Sequence, residues 1–320
     1  MPSENSRAQP RGLRSLLSVP ANQPKFFAKA ASGIADALIL DLEDSVFPEQ
    51  KLSARQAVRD ALASVDWGRK CMLVRVNALD TQWGFRDIIE LGAGCARLDG
   101  FMLPKLETPE ELAFVERLLD QLDSERGAAR PLQFHALVET AAGVSRIERI
   151  VEYARRLTSV SFGAGDYAMS LGLYGNVRSA GNADYVILAG DRGESDRQAH
   201  WNDSHHYAMA RVSNACHAVG VTPIDGPYGD FSDTAAAKAA TRRAKALGYG
   251  GKWAIHPSML EMINQTFRPT EAEVNWARRV AAALSDARAA GAGAAQLDGR
   301  LIEAATMKTV DRILQAAGEI

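Results

Sequence analysis

Leu38-Ile-Leu-Asp-Leu-Glu-Asp44 is a short apolar run that breaks into acids, and four other runs repeat the pattern. They are Met72-Leu-Val-Arg-Val-Asn77, Phe101-Met-Leu-Pro-Lys105, Phe134-His-Ala-Leu-Val-Glu-Thr140 and Val160-Ser-Phe-Gly-Ala-Gly-Asp166. A parallel strand covered on both faces reads as such a run. In a barrel of these strands the reacting groups sit at the C-terminal strand ends. The endings therefore assemble one candidate site from Glu43, Asp44, Arg75, Lys105, Glu139 and Asp166. Carboxylates around an arginine at one mouth suit a hard metal ion and an anionic substrate.

Outward from these runs, strands are expected over 13–20, 37–42, 71–76, 100–103, 132–138, 160–163, 220–225 and 252–255. Helical stretches separate most of them, over 23–31, 50–64, 81–91 and onward from Thr108, an N-cap followed by Pro109. Eight strands so separated make an α/β (β/α)₈ TIM barrel. A doubly wound open sheet is the structural alternative, but no G-x-G-x-x-G follows the first strand. Thr270-Glu-Ala-Glu273 is a capping box that opens a long helix to about residue 290. A Gly/Ala loop at 291–295, the stretch Leu297-Asp-Gly-Arg-Leu-Ile302 and a last helix follow. The expected domains are a disordered arm at 1–12, the barrel at 13–268 and a C-terminal helical cap at 269–320. This tail is expected to be a small cap, or an arm that packs on a neighbouring subunit and contributes to its site.

The chain has 320 residues, more than the roughly 250 typical of the barrel alone. Apolar residues make up 47% and supply a core of that size. A net charge of −2 gives no electrostatic case for nucleic acid or an anionic membrane. No apolar run approaches the roughly 20 residues that span a bilayer, and the polar N-terminus lacks a signal-peptide core. Cys71, Cys95 and Cys216 are odd in number and far apart, which fits reduced thiols in a cytoplasmic protein.

Each candidate has a functional and a structural reading. Glu139 and Asp166 close successive strands, so they ligate Mg²⁺ or serve strand-end salt bridges. Arg75 ends an apolar strand, where an unpaired charge is costly; it clamps a carboxylate or an enolate oxygen, or pairs with Glu43 or Asp44. Those two acids hold Arg75 or a metal-bound water, or are solvated loop acids. Arg14, Lys25 and Lys29 put positive charge near the first strand, for a polyphosphate tail or as a solvated helix face. His200, His205 and His206 lack zinc-helix spacing and read as structural. His256 ends the last strand and is the better site candidate.

These residues carry a resemblance. Arg14-Ser15 with Val19-Pro20, Leu40-Asp-Leu-Glu-Asp-Ser-Val46, Lys51 with Ala54-Arg55, Val74-Arg-Val-Asn77, Pro104-Lys105, Glu139-Thr140 and Gly165-Asp166 belong to it. So do Ile224-Asp-Gly-Pro-Tyr-Gly-Asp-Phe-Ser-Asp233, Gly251-Lys-Trp-Ala-Ile-His-Pro-Ser258 and Leu297-Asp-Gly-Arg-Leu-Ile302. Together they resemble the citrate lyase β-subunit-like acyl-CoA lyases, the HpcH/HpaI aldolase/citrate lyase family, and within it the malyl-CoA and β-methylmalyl-CoA lyases. The resemblance implies a barrel with a C-terminal cap in homotrimers or homohexamers. It implies Mg²⁺, with Mn²⁺ able to replace it, held by Glu139 and Asp166. It implies Arg75 on the thioester or 2-oxo acid oxygens, with Glu43 and Asp44 in the catalytic set. It implies a CoA site of Arg14, Lys25, Lys29, Ile255 and Pro257. It makes Asp298, on the cap of an adjacent subunit, the acid/base. The implied substrates are a CoA thioester and a small 2-oxo acid. Citramalyl-CoA lyase, malyl-CoA thioesterase and a non-catalytic CoA-binding subunit are the alternatives. Two segments depart from the family pattern: the loop-like stretch 180–203, and Ser18-Val-Pro-Ala-Asn-Gln23, where many members carry Phe-Val-Pro-Gly.

Overall fold

A computed structural model describes residues 13–127, 130–153, 155–173, 185–189, 198–201 and 203–319. The arm expected at 1–12, and most of the stretch 180–203, lie outside the described residues. The chain divides into two units, Met1–Ile263 and Asn264–Ile320.

The first unit is a closed barrel of eight parallel strands. These are β1 (Ser15–Pro20), β2 (Ala37–Asp41), β3 (Cys71–Arg75), β4 (Gly100–Leu103), β5 (Gln133–Val138), β6 (Leu157–Phe162), β7 (Thr222–Asp225) and β8 (Gly251–Ala254). Each pairs with its sequence neighbours, and β8 closes on β1. The strands are buried on both faces, as their near-unbroken apolar runs require. Leu16, Ile39, Leu73, Met102, Leu137, Ile224 and Trp253 fill the barrel interior. Leu38, Leu40, Met72, Val74, Phe101 and Phe134 alternate with them along the strands and are equally buried. The interior also holds His135, whose ring bonds Ser159 and lies 3.0 Å from the Thr158 hydroxyl. Burial lowers its pKa to about 4, so it is neutral and structural.

Helices link the strands. Thr108 caps the helix Pro109–Arg126 as expected, and Glu111 completes a capping box with it. The helix expected over 23–31 is instead a 3₁₀ turn, Pro24–Phe26, followed by the short helix Phe27–Ala31. Pro24 suits the tight first turn and has no N–H to offer. Between β6 and β7 the strands Val186–Ala189 and Gln198–Trp201 form an antiparallel pair. Among the described residues no helix is long and apolar enough to cross a membrane.

In the second unit the capping box of Thr270 and Glu273 opens the helix Glu271–Ala289. The Gly/Ala loop expected at 291–295 runs into a β-hairpin, Ala294–Leu297 with Arg300–Glu303. Asp298 and Gly299 form its turn with φ of 51° and 75°. A two-residue turn with both φ positive matches strand twist, and Asp-Gly favours it. The final helix is Met307–Ala317. Ala277, Val280, Ile302, Val310 and Leu314 form this unit's own small core.

Candidate active site

β2 ends at Asp41, so Glu43 and Asp44 lie past the strand, freed from its alternation of faces. Glu43 is buried and the Asp44 side chain is half-exposed. Asp41 is in register with Arg75 on β3. That register lets the arginine lay its fork on the aspartate: Nε to Oδ1 and Nη2 to Oδ2 are both 2.7 Å. Nη1 reaches Glu43 Oε2 at 2.8 Å and Asp44 Oδ2 at 3.5 Å. The expected partners are thus both present, but the principal one is Asp41, which sequence reasoning left in the acidic cluster without a role. Beneath the guanidinium lies the Trp253 ring, 5.8 Å from its carbon, with the indole donating to Ser161 Oγ at 2.8 Å. Burial works against the Arg75 charge, but Asp41 and then Glu43 hold its pKa above the ordinary value. Burial likewise opposes ionisation of Asp41, and Arg75 overrides it and holds that carboxyl below its usual range.

Lys105 follows β4 and links this cluster to the next one. Its ammonium bonds Glu43 Oε1 at 2.6 Å and lies 3.5 Å from Asp44 Oδ1. Its backbone N–H donates to Glu139 Oε1 at 3.0 Å. The residue sits at φ 51°, the left-handed region that disfavours a lysine. No sequence signal announced that conformation.

Glu139, the residue after β5, is 2% exposed. Asp166 lies in the first turn of the helix Ala164–Ser170, just beyond β6, rather than on the strand itself. The two carboxyls meet. Burial first, then the charge and hydrogen bond of Asp166, push the Glu139 pKa well above its ordinary value. Gly163 makes the space: a Cβ there would lie 2.6 Å from both Glu139 Cβ and Oε2. Burial raises the Glu43 pKa as well, against the pull of Arg75 and Lys105.

The donor set fits a hard divalent cation. The two carboxyls are pressed together at the expense of Glu139's ionisation, and a cation between them relieves that cost. Around the mouth Asp41, Glu43, Asp44, Glu139 and Asp166 outnumber Arg75 and Lys105. An anionic substrate entering this field needs further positive charge. Among the described residues no group of three or more His, Cys, Asp and Glu side chains forms a metal cage. Two carboxylates with waters and substrate oxygens in the remaining positions is the manner in which Mg²⁺ is commonly held.

The other expected residues are placed as follows. Lys25 and Lys29 are exposed beyond the exit of β1, and Lys25 Nζ lies 5.1 Å from the Phe26 ring centroid. Ile255 and Pro257 are exposed just past β8. Arg14 is not brought to the mouth. It precedes β1, at the opposite end of the barrel, and its fork is engaged by Asp36 at 2.8 Å through both Nε and Nη2. Parallel strands put a residue before β1 and one before β2 on the same bottom rim, which corrects the assignment of Arg14 to the CoA site. His256 stacks on Phe231, centroids 4.5 Å apart. His205 is buried against Phe162 and Tyr167, the structural reading. Asp298, at the hairpin tip, pairs with Arg279 of its own unit at 2.5 Å.

Known proteins share this arrangement of chain. A family model described as HpcH/HpaI aldolase/citrate lyase matches residues 14–257. An L-malyl-CoA/β-methylmalyl-CoA lyase of Cereibacter sphaeroides is 38% identical over 308 residues, 96% of this chain and 95% of its own. The malyl-CoA/β-methylmalyl-CoA/citramalyl-CoA lyase of Chloroflexus aurantiacus is 34% identical over 284 residues, 88% of this chain and 80% of its own. The crystal structure of CitE from Mycobacterium tuberculosis with magnesium, acetoacetate and coenzyme A is similar with a TM-score of 0.72 at 30% identity. That match covers 98% of this chain and 100% of that one. The chain therefore belongs to the HpcH/HpaI aldolase/citrate lyase family.

Proposed function

We propose that this chain is a Mg²⁺-dependent acyl-CoA lyase that catalyses reversible Claisen cleavage of a 3-hydroxyacyl-CoA. L-malyl-CoA gives acetyl-CoA and glyoxylate; β-methylmalyl-CoA gives propionyl-CoA and glyoxylate. The observation that carries this reading is the buried meeting of Glu139 and Asp166 beside a forked Arg75 at the barrel mouth. The near full-length likeness to lyases of that name supports the choice of substrate.

Glu139 and Asp166 are the residues to hold the ion. Bound there, Mg²⁺ supplies Lewis-acid polarisation of the 2-oxo acid. The remaining work belongs to the side chains. Cleavage leaves an enolate of the thioester, and its oxygen needs a positive partner already in place. Arg75 provides it, because the Asp41 fork fixes the guanidinium plane before substrate arrives. Its long 3.5 Å contact to half-exposed Asp44 is the one a substrate oxygen replaces most easily. Lys25 and Lys29 suit the phosphates of CoA, and Ile255 and Pro257 its apolar arm. Asp298 from the cap of a neighbouring copy takes the proton from the thioester α-carbon in condensation and returns it in cleavage. The active unit is then a homotrimer or homohexamer.

A panel of malyl-CoA, β-methylmalyl-CoA and citramalyl-CoA tests this reading. Glyoxylate released with Mg²⁺ and abolished by EDTA is the expected result. Free malate in its place means hydrolysis, pyruvate from citramalyl-CoA as the preferred product means the pyruvate branch, and no turnover overturns the proposal.

A further inference from the structure

The helix Lys51–Ser64 begins with two buried cations that the reaction above does not use. Lys51 is 6% exposed and Arg55 4%. Residues four apart share a helix face, and these two reach the exits of β2 and β3. The Lys51 ammonium donates to the carbonyl oxygens of Leu42 at 2.7 Å and Glu43 at 2.8 Å. The Trp83 ring lies 5.6 Å from it. Arg55 Nε bonds Asp87 Oδ1 at 2.7 Å. The other Asp87 oxygen accepts from Asn77, 3.0 Å from its backbone N and 2.6 Å from Nδ2. Asn77 stands two residues beyond Arg75. A Cβ on Gly84 would fall 2.7 and 2.6 Å from the carbonyl oxygens of Asn77 and Ala78, so the helix Gly84–Gly94 is seated directly on that exit.

Burying an ammonium is costly, and a strand-exit carbonyl needs only water or a backbone N–H to satisfy it. A buried lysine on two successive carbonyls does something those cannot: it fixes both peptide planes at once. The residue so fixed is Glu43, whose carboxylate forms an ion pair with Arg75 Nη1 and accepts a hydrogen bond from Lys105 Nζ. We infer that Lys51 is a positioning residue for Arg75: it holds the Leu42 and Glu43 carbonyls, which set the Glu43 side chain, which steadies Nη1 of the guanidinium whose other edge the Asp41 fork grips. Arg55, Asp87 and Asn77 brace the adjoining exit of β3. Burial lowers the Lys51 pKa, while Glu43, Asp41, Asp87 and Asp44 act in the opposite sense and favour its charge. The inference rests on the reading of Arg75 as the enolate partner.

Two variants test it. Lys51→Met removes the charge and the donors at similar length; Lys51→Arg keeps both. Turnover is measured well below each variant's unfolding midpoint, with folding checked by circular dichroism. Lys51→Met is expected to lose about a hundredfold in kcat, the scale of an ångström of misplacement at a reacting group. Its KM is expected to stay within about threefold, since no Lys51 atom is assigned to substrate binding. Lys51→Arg recovers most of the loss. A Lys51→Met protein with wild-type kcat, or an arginine variant no better than methionine, overturns the inference. If methionine does not fold, Lys51→Gln carries the same comparison. If the wild type cleaves no thioester, the proposed function fails on its own, and a crystal structure of Lys51→Met decides this point. Glu43 displaced from Arg75 supports it, and Glu43 unmoved overturns it.

Discussion

Glu139 carries the clearest chemical consequence. Its folded pKa is raised, so its contribution to stability is complete below the unfolded value of about 4.3 and is lost as pH rises toward the folded one. In EDTA, thermal scans should therefore show falling stability from acid toward neutral pH, with Mg²⁺ restoring it at the neutral end. Glu139→Gln should flatten that slope, keep the fold and abolish Mg²⁺-dependent cleavage; Asp166→Asn should abolish cleavage too. Full activity of either variant in EDTA would sink the metal assignment. Arg75→Lys keeps the charge and loses the fork on Asp41. It should lose roughly a hundredfold or more in kcat/KM, as when an oxyanion donor is deleted; a loss below about threefold reassigns Arg75 to structure. Glu139, Asp166 and Arg75 were legible because each is a charged residue at or just beyond the end of a buried run. Asp41 was not, because its partner is decided by the register of β2 on β3, and register is a property of two strands at once. Arg14 misled for a related reason: being near β1 in sequence does not say which end of the barrel it occupies.

At the scale of elements, the eight strands could be read because two-sided burial writes itself as unbroken apolar runs. The starts of both long helices, the N-cap at Thr108 and the capping box at Thr270, were equally plain. The hairpin Ala294–Leu297 with Arg300–Glu303 was missed. Its strands hold mostly small or polar residues, and only Asp298-Gly299 marked the turn. That turn makes a prediction. Gly299 sits at φ 75°, so Gly299→Ala should destabilise the hairpin by about 1 kcal/mol. Hydrogen exchange should show amides of 294–303 opening faster while those of β1–β8 are unchanged. Loss of protection across the barrel would mean that the two units unfold as one.

On the scale of the whole molecule, the two units raise the question of where Asp298 acts. Its only ion pair among the described residues is with Arg279 of the same unit. If the cap serves a neighbouring copy, mixing Asp298→Asn with Arg75→Lys should build some sites with Arg75 from one chain and Asp298 from another. Activity should then partly return, and native mass spectrometry would confirm that subunits had exchanged. Exchange without recovery would place Asp298 at its own chain's site, or outside catalysis. Sequence pattern could not reach this level, since an alternation of apolar residues reports burial within a chain and is silent about copies.

The left-handed backbone of Lys105 has an evolutionary consequence. A descendant released from its chemistry gains by replacing lysine with glycine or asparagine, which accept that conformation. Lineages under selection for turnover should instead keep lysine, whose ammonium meets Glu43 while its amide meets Glu139. The residue at 105 should therefore distinguish working members from pensioned-off ones. The laboratory counterpart is simple: Lys105→Gly and Lys105→Ala both lose the ammonium, and denaturant midpoints should find the glycine protein more stable by about 1 kcal/mol. Equal midpoints would show that the backbone relaxes once lysine is gone, and that position 105 drifts without a preferred destination.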